Sequence, residues 1–341
     1  MEFKLRYGYV VSGAVIGLIL LVSAVFTLPD GKLHLVFCNV GQGDGAYVRF
    51  PDGHDMVVDG GPNDAILSCL GRHMPFWDKT IDIVVSTHPQ ADHMNGLLSI
   101  LDRYTVGKVM RSDVDVPTQG YKGFLQRIQK KSVPVAFVTT GDMVTVGSTT
   151  LSVVWPSESQ MAKAKENNLA LSLDTQDKNQ KEVLGVETGN ANIVESLSSK
   201  SGPPGDVNDY TVVFKLSYGE FDTLFTGDAD QHVQADYDNR VLAERHIEVL
   251  KVPHHGSRTG MTDMFLDAVS PDVSIISVGK NNYGHPTAEI LSKLAIKKSQ
   301  VLRTDKDGDI EIVSDGRGYT VRRGGRNTTN TTNKQILPII K

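Results

Sequence analysis

The run Thr87-His88-Pro89-Gln90-Ala91-Asp92-His93 constrains this chain more than any other feature. It follows Ile81 to Ser86, a short apolar stretch that reads as a strand, and precedes Asn95 to Tyr104, which reads as a helix. A turn leaving a strand for a helix is where α/β folds place their sites. Two imidazoles and a carboxylate this close together can aim at one or two cations. Histidine offers a neutral nitrogen and aspartate a hard anionic oxygen, a mixture that suits Zn²⁺ or Mn²⁺. Two further strand ends carry ligand types. Asp228 follows Phe225-Thr226-Gly227, and the pair His254-His255 follows Leu250-Lys251-Val252-Pro253. Packing gives no reason for three such strand ends.

The surrounding segments predict the fold. Leu33 to Val40 reads as a strand broken by Gly41-Gln42-Gly43-Asp44-Gly45; Ala46 to Phe50 and Met56 to Asp59 are strands, and Asp64 to His73 a helix. The second half repeats the logic. It has strands at Thr211 to Leu216, Thr223 to Thr226, Val249 to Val252 and Val273 to Val278, and helices at Gln231 to Glu244, Thr262 to Ala268 and Ala288 to Ala295. Two β-rich halves with flanking helices predict an α/β chain folded as a four-layer αββα sandwich. Its 341 residues allow one large domain, here 31–323, and 40% hydrophobic residues supply its core. Residues 157–207 are polar and hold Ser201-Gly202-Pro203-Pro204-Gly205, so they read as an insertion; residues 324–341, with their Asn-Thr-Thr repeats, read as a disordered, solvated tail. Cys38 and Cys69 are too few for a zinc ribbon or a disulfide framework and read as two small buried hydrophobes.

The N-terminus predicts a membrane segment. Lys4 and Arg6 precede a charge-free run from Tyr7 to Leu28, long enough to span about 30 Å as a helix. The basic flank favours an N-in orientation, with residues 31–323 outside the cytoplasm. An uncleaved single-pass anchor over 1–30 is the first reading. Val22-Ser23-Ala24 offers a small-residue cleavage site, which would make the segment a signal peptide and the protein secreted. The net charge of −5 excludes a global basic field for nucleic acid and leaves a local patch open.

Other motifs carry less. Gly41-Gln42-Gly43-Asp44-Gly45 lacks the Lys-Ser/Thr of a phosphate loop and reads as a turn bringing Asp44 near the cations. Asp305-Lys306-Asp307-Gly308-Asp309 imitates a calcium loop but lacks its later glycine and glutamate, so it reads as a hairpin turn. His285, in Tyr283-Gly284-His285-Pro286, lines the pocket or serves a structural turn. His34, His54 and His73 read as surface or packing residues.

The run His88-x-x-x-Asp92-His93 after a strand resembles the metallo-β-lactamase superfamily signature. An ordered set of stretches resembles, more narrowly, the C-terminal hydrolase domain of ComEC-type competence proteins. They are Asn39-Val40-Gly41-Gln42-Gly43-Asp44, Val58-Asp59-Gly60-Gly61, Ser86-Thr87-His88-Pro89, Thr226-Gly227-Asp228, Leu250 to Ser257, Ser277-Val278-Gly279 with Asn282 to Pro286, and Arg303-Thr304-Asp305. The resemblance runs from about Lys32 to Ile312. It implies that His88 binds a first metal, that Asp92 and His93 bind a second, and that Asp228 bridges them. One imidazole of His254 and His255 would complete the second site, and the other would contact phosphate or hold a proton. Asp59 would orient a ligand histidine through its free N–H, and Asp92 and His255 would serve the chemistry directly. Asn208 and Thr211 stand where the ComEC-like pattern has Asn and a hydroxyl residue.

This chain departs at Gln90. Superfamily members commonly carry His there, and ComEC-like members Asp, so the first site is short of ligands. The implied activity is hydrolysis of a phosphodiester outside the cytoplasm by one or two divalent ions, with DNA as the first substrate. A single apolar segment forms no pore. Two alternatives stay open: a hydrolase of a cell-envelope phosphodiester, such as a phosphocholine or teichoic-acid ester, and a degenerate, non-catalytic binding module.

Overall fold

The computed structural model describes residues 7–26, 28–164, 206–237, 239–324 and 326–332. Strand β1 (Leu33–Phe37) shows how the layers arise. Leu33, Leu35 and Phe37 point into one apolar cluster, and Val36 points into another on the opposite face. Two-residue alternation with both faces apolar is what a strand covered on both sides requires. β2 (Gly45–Arg49) and β3 (Asp55–Gly60) follow antiparallel. β4 (Thr80–Ser86), β5 (Thr105–Arg111) and β6 (Val135–Phe137) then add in parallel, linked through helices α2 (Ala65–His73), α3 (Ala91–Arg103) and α4 (Gln119–Lys130). The last strands, β14 (Ile310–Ser314), β15 (Tyr319–Arg323) and β16 (Arg326–Thr332), return to this sheet beside β1.

The second sheet runs β13-β12-β11-β10-β9-β8-β7. It comprises β7 (Met143–Val146), β8 (Thr149–Trp155), β9 (Val213–Tyr218), β10 (Phe221–Phe225), β11 (Val249–Lys251), β12 (Val273–Ile276) and β13 (Gln300–Arg303). Its outer face packs helices α5 (Asn239–Ala243), α6 (Asp263–Val269) and α7 (Ala288–Ile296). Thr262 and Thr287 cap α6 and α7 by accepting from Phe265 N and Ile290 N. Between the sheets lies the central core. Phe225 stacks on Phe37 at 5.6 Å and on Phe214 at 4.9 Å, each contact contributing about 0.5–1.5 kcal/mol beyond its buried area. This is the αββα sandwich.

Several expectations need correcting. Among the described residues no helix is long and apolar enough to cross a membrane, so the expected anchor is not shown; the N-terminus does form a helix, α1 (Tyr7–Phe26). Cys38 and Cys69 are not two separate hydrophobes but a disulfide, with Cα atoms 5.9 Å apart and both residues fully buried. The segment read as one helix from Gln231 to Glu244 is instead a turn, a short 3-10 turn at Gln234–Asp236 and the brief α5. The tail read as disordered supplies β16, whose threonines suit an edge strand, while 333–341 lie outside the described residues. Of the insertion at 157–207, residues 165–205 likewise lie outside them.

One contact fixes where α3 sits. Gly96 N donates to Gly61 O at 2.9 Å, and a methyl group at Gly96 would lie 2.0 Å from Gly60 O. The helix therefore rests its backbone directly on the end of β3. Gly96→Ala must push these backbones apart and is expected to lower stability by roughly 1–3 kcal/mol or more. A denaturation midpoint equal to that of the native chain would contradict this close packing.

Candidate metal centre

Five strand ends of the two sheets meet over the central core, and each delivers ligand-type side chains. The turn after β1 is built on Gly41 (φ 87) and Gly43 (φ 143). Asp44 N donates to Asp92 O at 3.1 Å, and a side chain at Gly43 would collide with that same carbonyl. The glycines thus bring Asp44 against the start of α3, where it is buried.

At the end of β3, Asp59 adopts φ 55, outside the range most side chains favour, and is fully buried. Its carboxylate accepts from Thr87 N (2.8 Å), Thr87 Oγ1 (2.6 Å) and His93 Nδ1 (2.8 Å). One side chain therefore fixes both the turn after β4 and the ring that follows it. The helix begins earlier than the sequence suggests, at Ala91, so Asp92 and His93 occupy its first turn.

Asp228 leaves the end of β10 through Gly227 (φ 46), a position with room for no side chain beside Thr87 and Thr211. The turn after β11 places two consecutive histidines in the left-handed region, His254 at φ 47 and His255 at φ 52. That conformation costs a non-glycine residue on the order of 1 kcal/mol or more and is held here by its surroundings. It sends the two rings to different partners. His255 Nδ1 bonds Ser277 O at 2.8 Å, and His254 Nδ1 bonds Asp230 Oδ1 at 2.8 Å.

Asp44, His93, Asp228 and His255 present ligand atoms lying within 4.8 Å of one another, all four residues buried. His93 Nε2 meets Asp228 Oδ1 at 3.2 Å and His255 Nε2 meets Asp228 Oδ2 at 3.3 Å. Yet Asp44 Oδ1, His93 Nε2, Asp228 Oδ1 and His255 Nε2 make no hydrogen bond. Buried polar atoms without partners are rare and costly. Four of them converging from two imidazoles and two carboxylates make a donor set that fits a divalent cation.

The protonation pattern agrees. Burial works against charge on His93, but Asp228, Asp44 and Asp59 override it and hold the ring well above its usual range. His255 behaves alike, with Asp228 and Asp44 overcoming burial. Burial disfavours charge on Asp228 as well, but His255 and His93 hold it well below the usual carboxylate range. Without a cation, protons on the two imidazoles bind the cluster together.

The structure sorts the other site residues. Asp92, a third exposed, lies 3.4 Å from His255 Nε2; burial raises its carboxyl, but the neighbouring His255 and His93 rings prevail and bring it down to about 2. His88 is buried and stands outside the four-residue cluster. Burial, and then its neighbour His93, push it down to about 3, so it is neutral, and its Nε2 lies 3.3 Å from the Gln90 carboxamide. His254 is turned to the rim, its Nε2 3.9 Å from Asp228 Oδ2. His285 sits 5.7 Å from the His254 ring. Thr211 packs beside Gly227, whereas Asn208 is buried in the 3-10 turn Val207–Tyr210 and is not part of the cluster. Asp44, expected to lie near the cations, is placed among the ligand atoms themselves.

Two residues escaped the sequence reading. Lys251 is buried and pairs with Asp44 at 2.7 Å; its signal was a charge inside the apolar strand β11. Asp230, two residues beyond Asp228, orients His254 and left no signal beyond its proximity. A second grouping, Cys69, His73 and Asp309, is closed to metal by the disulfide on Cys69. Asp309 there accepts from Asn39 N, Arg72 and His73.

The sequence profile of the metallo-β-lactamase superfamily matches residues 38–280, more than half of the chain. The chain belongs to this superfamily. It is 24% identical over 300 residues to the ComE operon protein 3 of Bacillus subtilis, covering 83% of this chain and 33% of that protein. It is 32% identical over 108 residues to the competence protein ComA of Neisseria gonorrhoeae, 31% of this chain and 16% of that protein. The chain thus spans a third or less of the length of these curated relatives. The metallo-β-lactamase-fold protein YhfI of Bacillus subtilis superposes with a TM-score of 0.49 at 11% identity, over 83% of this chain and all of that one.

Two outcomes are expected. Cation binding must expel protons held by His93 and His255, whose values lie well above 6.5, so metal affinity should climb as pH rises through and beyond that value. Calorimetry in buffers of different ionisation enthalpy should register proton release near neutral pH; a pH-independent affinity would contradict the assignment. Asp59→Asn keeps the shape but loses the charge that orients His93, and should weaken metal binding by roughly 10- to 100-fold in chelator competition.

Proposed function

We propose that this metal-dependent hydrolase cleaves phosphodiester bonds, with a nucleic-acid strand as its substrate, on the outer side of a membrane. The observation that carries the reading is the convergence of four buried ligand atoms that make no hydrogen bond, from Asp44, His93, Asp228 and His255, beneath a rim bearing Asp92 and His254. A divalent ion held by these four residues would supply Lewis acidity toward a phosphoryl oxygen and would lower the pKa of a bound water. Lys251 offsets the charge of Asp44 from behind. Asp92 is ionised at neutral pH and open to solvent, so it accepts a hydrogen bond from an attacking water. His254 is fixed by Asp230 at Nδ1, leaving Nε2 to donate to the oxygen of the departing group; burial lowers its affinity for a proton, but the bond to Asp230 more than restores it. Kinship with competence proteins supports DNA as the strand.

The outward placement has one support. A buried disulfide, Cys38–Cys69, suits an oxidising compartment.

The purified protein loaded with Zn²⁺ or Mn²⁺ should cut single- or double-stranded DNA. Asp92→Ala should slow this by at least about 100-fold. No cleavage of either DNA form with either metal would overturn the nuclease reading. Turnover of small chromogenic phosphocholine esters alone would redirect it to a cell-envelope substrate.

A further inference from the structure

The loop after β12 carries an aromatic ring that packing does not explain. Tyr283 is 76% exposed, among the most exposed large side chains described. Scattered exposed apolar groups are ordinary. This one differs in how firmly its backbone is held. The Asn281 carboxamide donates from Nδ2 to Gly279 O and His285 O, both at 2.9 Å. Its Oδ1 accepts from Tyr283 N and His285 N, both at 3.1 Å. One side chain thus spends its whole bonding capacity fixing the backbone on both sides of a ring left in solvent.

The ring also points along a path to the centre. Tyr283 lies 5.7 Å from His285 at 35°, His285 lies 5.7 Å from His254, and His254 lies 6.3 Å from His255. Three ring contacts therefore lead from open solvent to a ligand imidazole, and His285 Nδ1, within that path, has no hydrogen-bond partner. The centre itself offers only groups that suit phosphate and water. The four buried residues of the cluster offer no surface to the rest of a strand.

We propose that Tyr283 is a stacking platform that holds a nucleobase of a single-stranded substrate while a phosphate a few residues along occupies the centre. The proposal rests on the phosphodiesterase reading above and names the part of the substrate that the metal cluster does not touch. A flat ring on a pre-fixed loop loses little freedom on binding and accepts any base, because every base presents a π-face. Asn281 is a positioning residue that acts only through this loop.

The test uses the full protein and a fluorescein-labelled twelve-nucleotide thymidine strand with phosphorothioate links, read by anisotropy. Tyr283→Ala should weaken binding by roughly 5- to 150-fold, and Tyr283→Phe by less than about twofold. A strand of the same length with abasic sugars should bind the native protein and Tyr283→Ala equally. With a cleavable strand, the loss should fall on KM. Thermal unfolding of Tyr283→Ala should match the native chain, since the ring is exposed. Equal affinity of native and Tyr283→Ala for the normal strand overturns the proposal, as does the same loss on the abasic strand or no binding by the native protein. Failure of the parent reading looks different: the native protein binds the strand but cleaves no phosphodiester with any metal.

Discussion

The carboxylate of Asp59 holds three elements at once. It is buried at the end of β3 and accepts hydrogen bonds from the backbone N–H and hydroxyl of Thr87 and from His93 Nδ1. Without those bonds the turn after β4 would lose its anchor, and α3 would present His93 in any of several ring orientations. The strained φ of Asp59 is the cost of reaching all three partners. Everything later in the chain assumes this geometry. Asp228 enters beside Thr87, and the His254-His255 turn docks through His254 N on Gly227 O. The site is therefore layered outward from one carboxylate that touches no reacting atom.

The cluster also illustrates how a protein stores ligands that repel or attract one another too strongly to be left alone. Two carboxylates and two imidazoles within a few ångströms are stable without a cation only if protons or another positive group offset the charge. Here Lys251 serves Asp44 permanently, and the imidazole protons serve Asp228 until displaced. His88 takes no part in this exchange. It is neutral, and it faces the Gln90 carboxamide, itself a weak metal ligand.

The fold and most of the site were legible because their signals are sparse and local. Alternating apolar residues in β1 and β3 announced both faces of a sheet, and histidines and aspartates at strand ends have few structural uses. What the sequence concealed depends on conformation or on distant partners. Asp44 joins the ligand atoms only because Gly41 and Gly43 adopt conformations no propensity scale ranks. The Cys38–Cys69 bond joins residues 31 apart, and nothing in either local segment marks the pairing. Which of His254 and His255 turns inward follows from two left-handed residues in succession, a geometry that Asp230 and Ser277 complete from other elements. Gln231 to Glu244 had a helical pattern, yet Gln234 is drawn off to bond Gly260 O and Thr262 N, so tertiary contacts broke the run.

Asp309 ties the late part of the chain to the early part. Its carboxylate receives Asn39 N, at the root of the Asp44 turn, together with Arg72 and His73 from α2, and it stands immediately before β14, which zips onto β1. The covalent link between Cys38 and Cys69 ties the same root to the same helix. The root of the turn that carries the first ligand is therefore held by a residue 270 positions farther along the chain, so the centre depends on the return of β14 to the sheet that its first three strands begin.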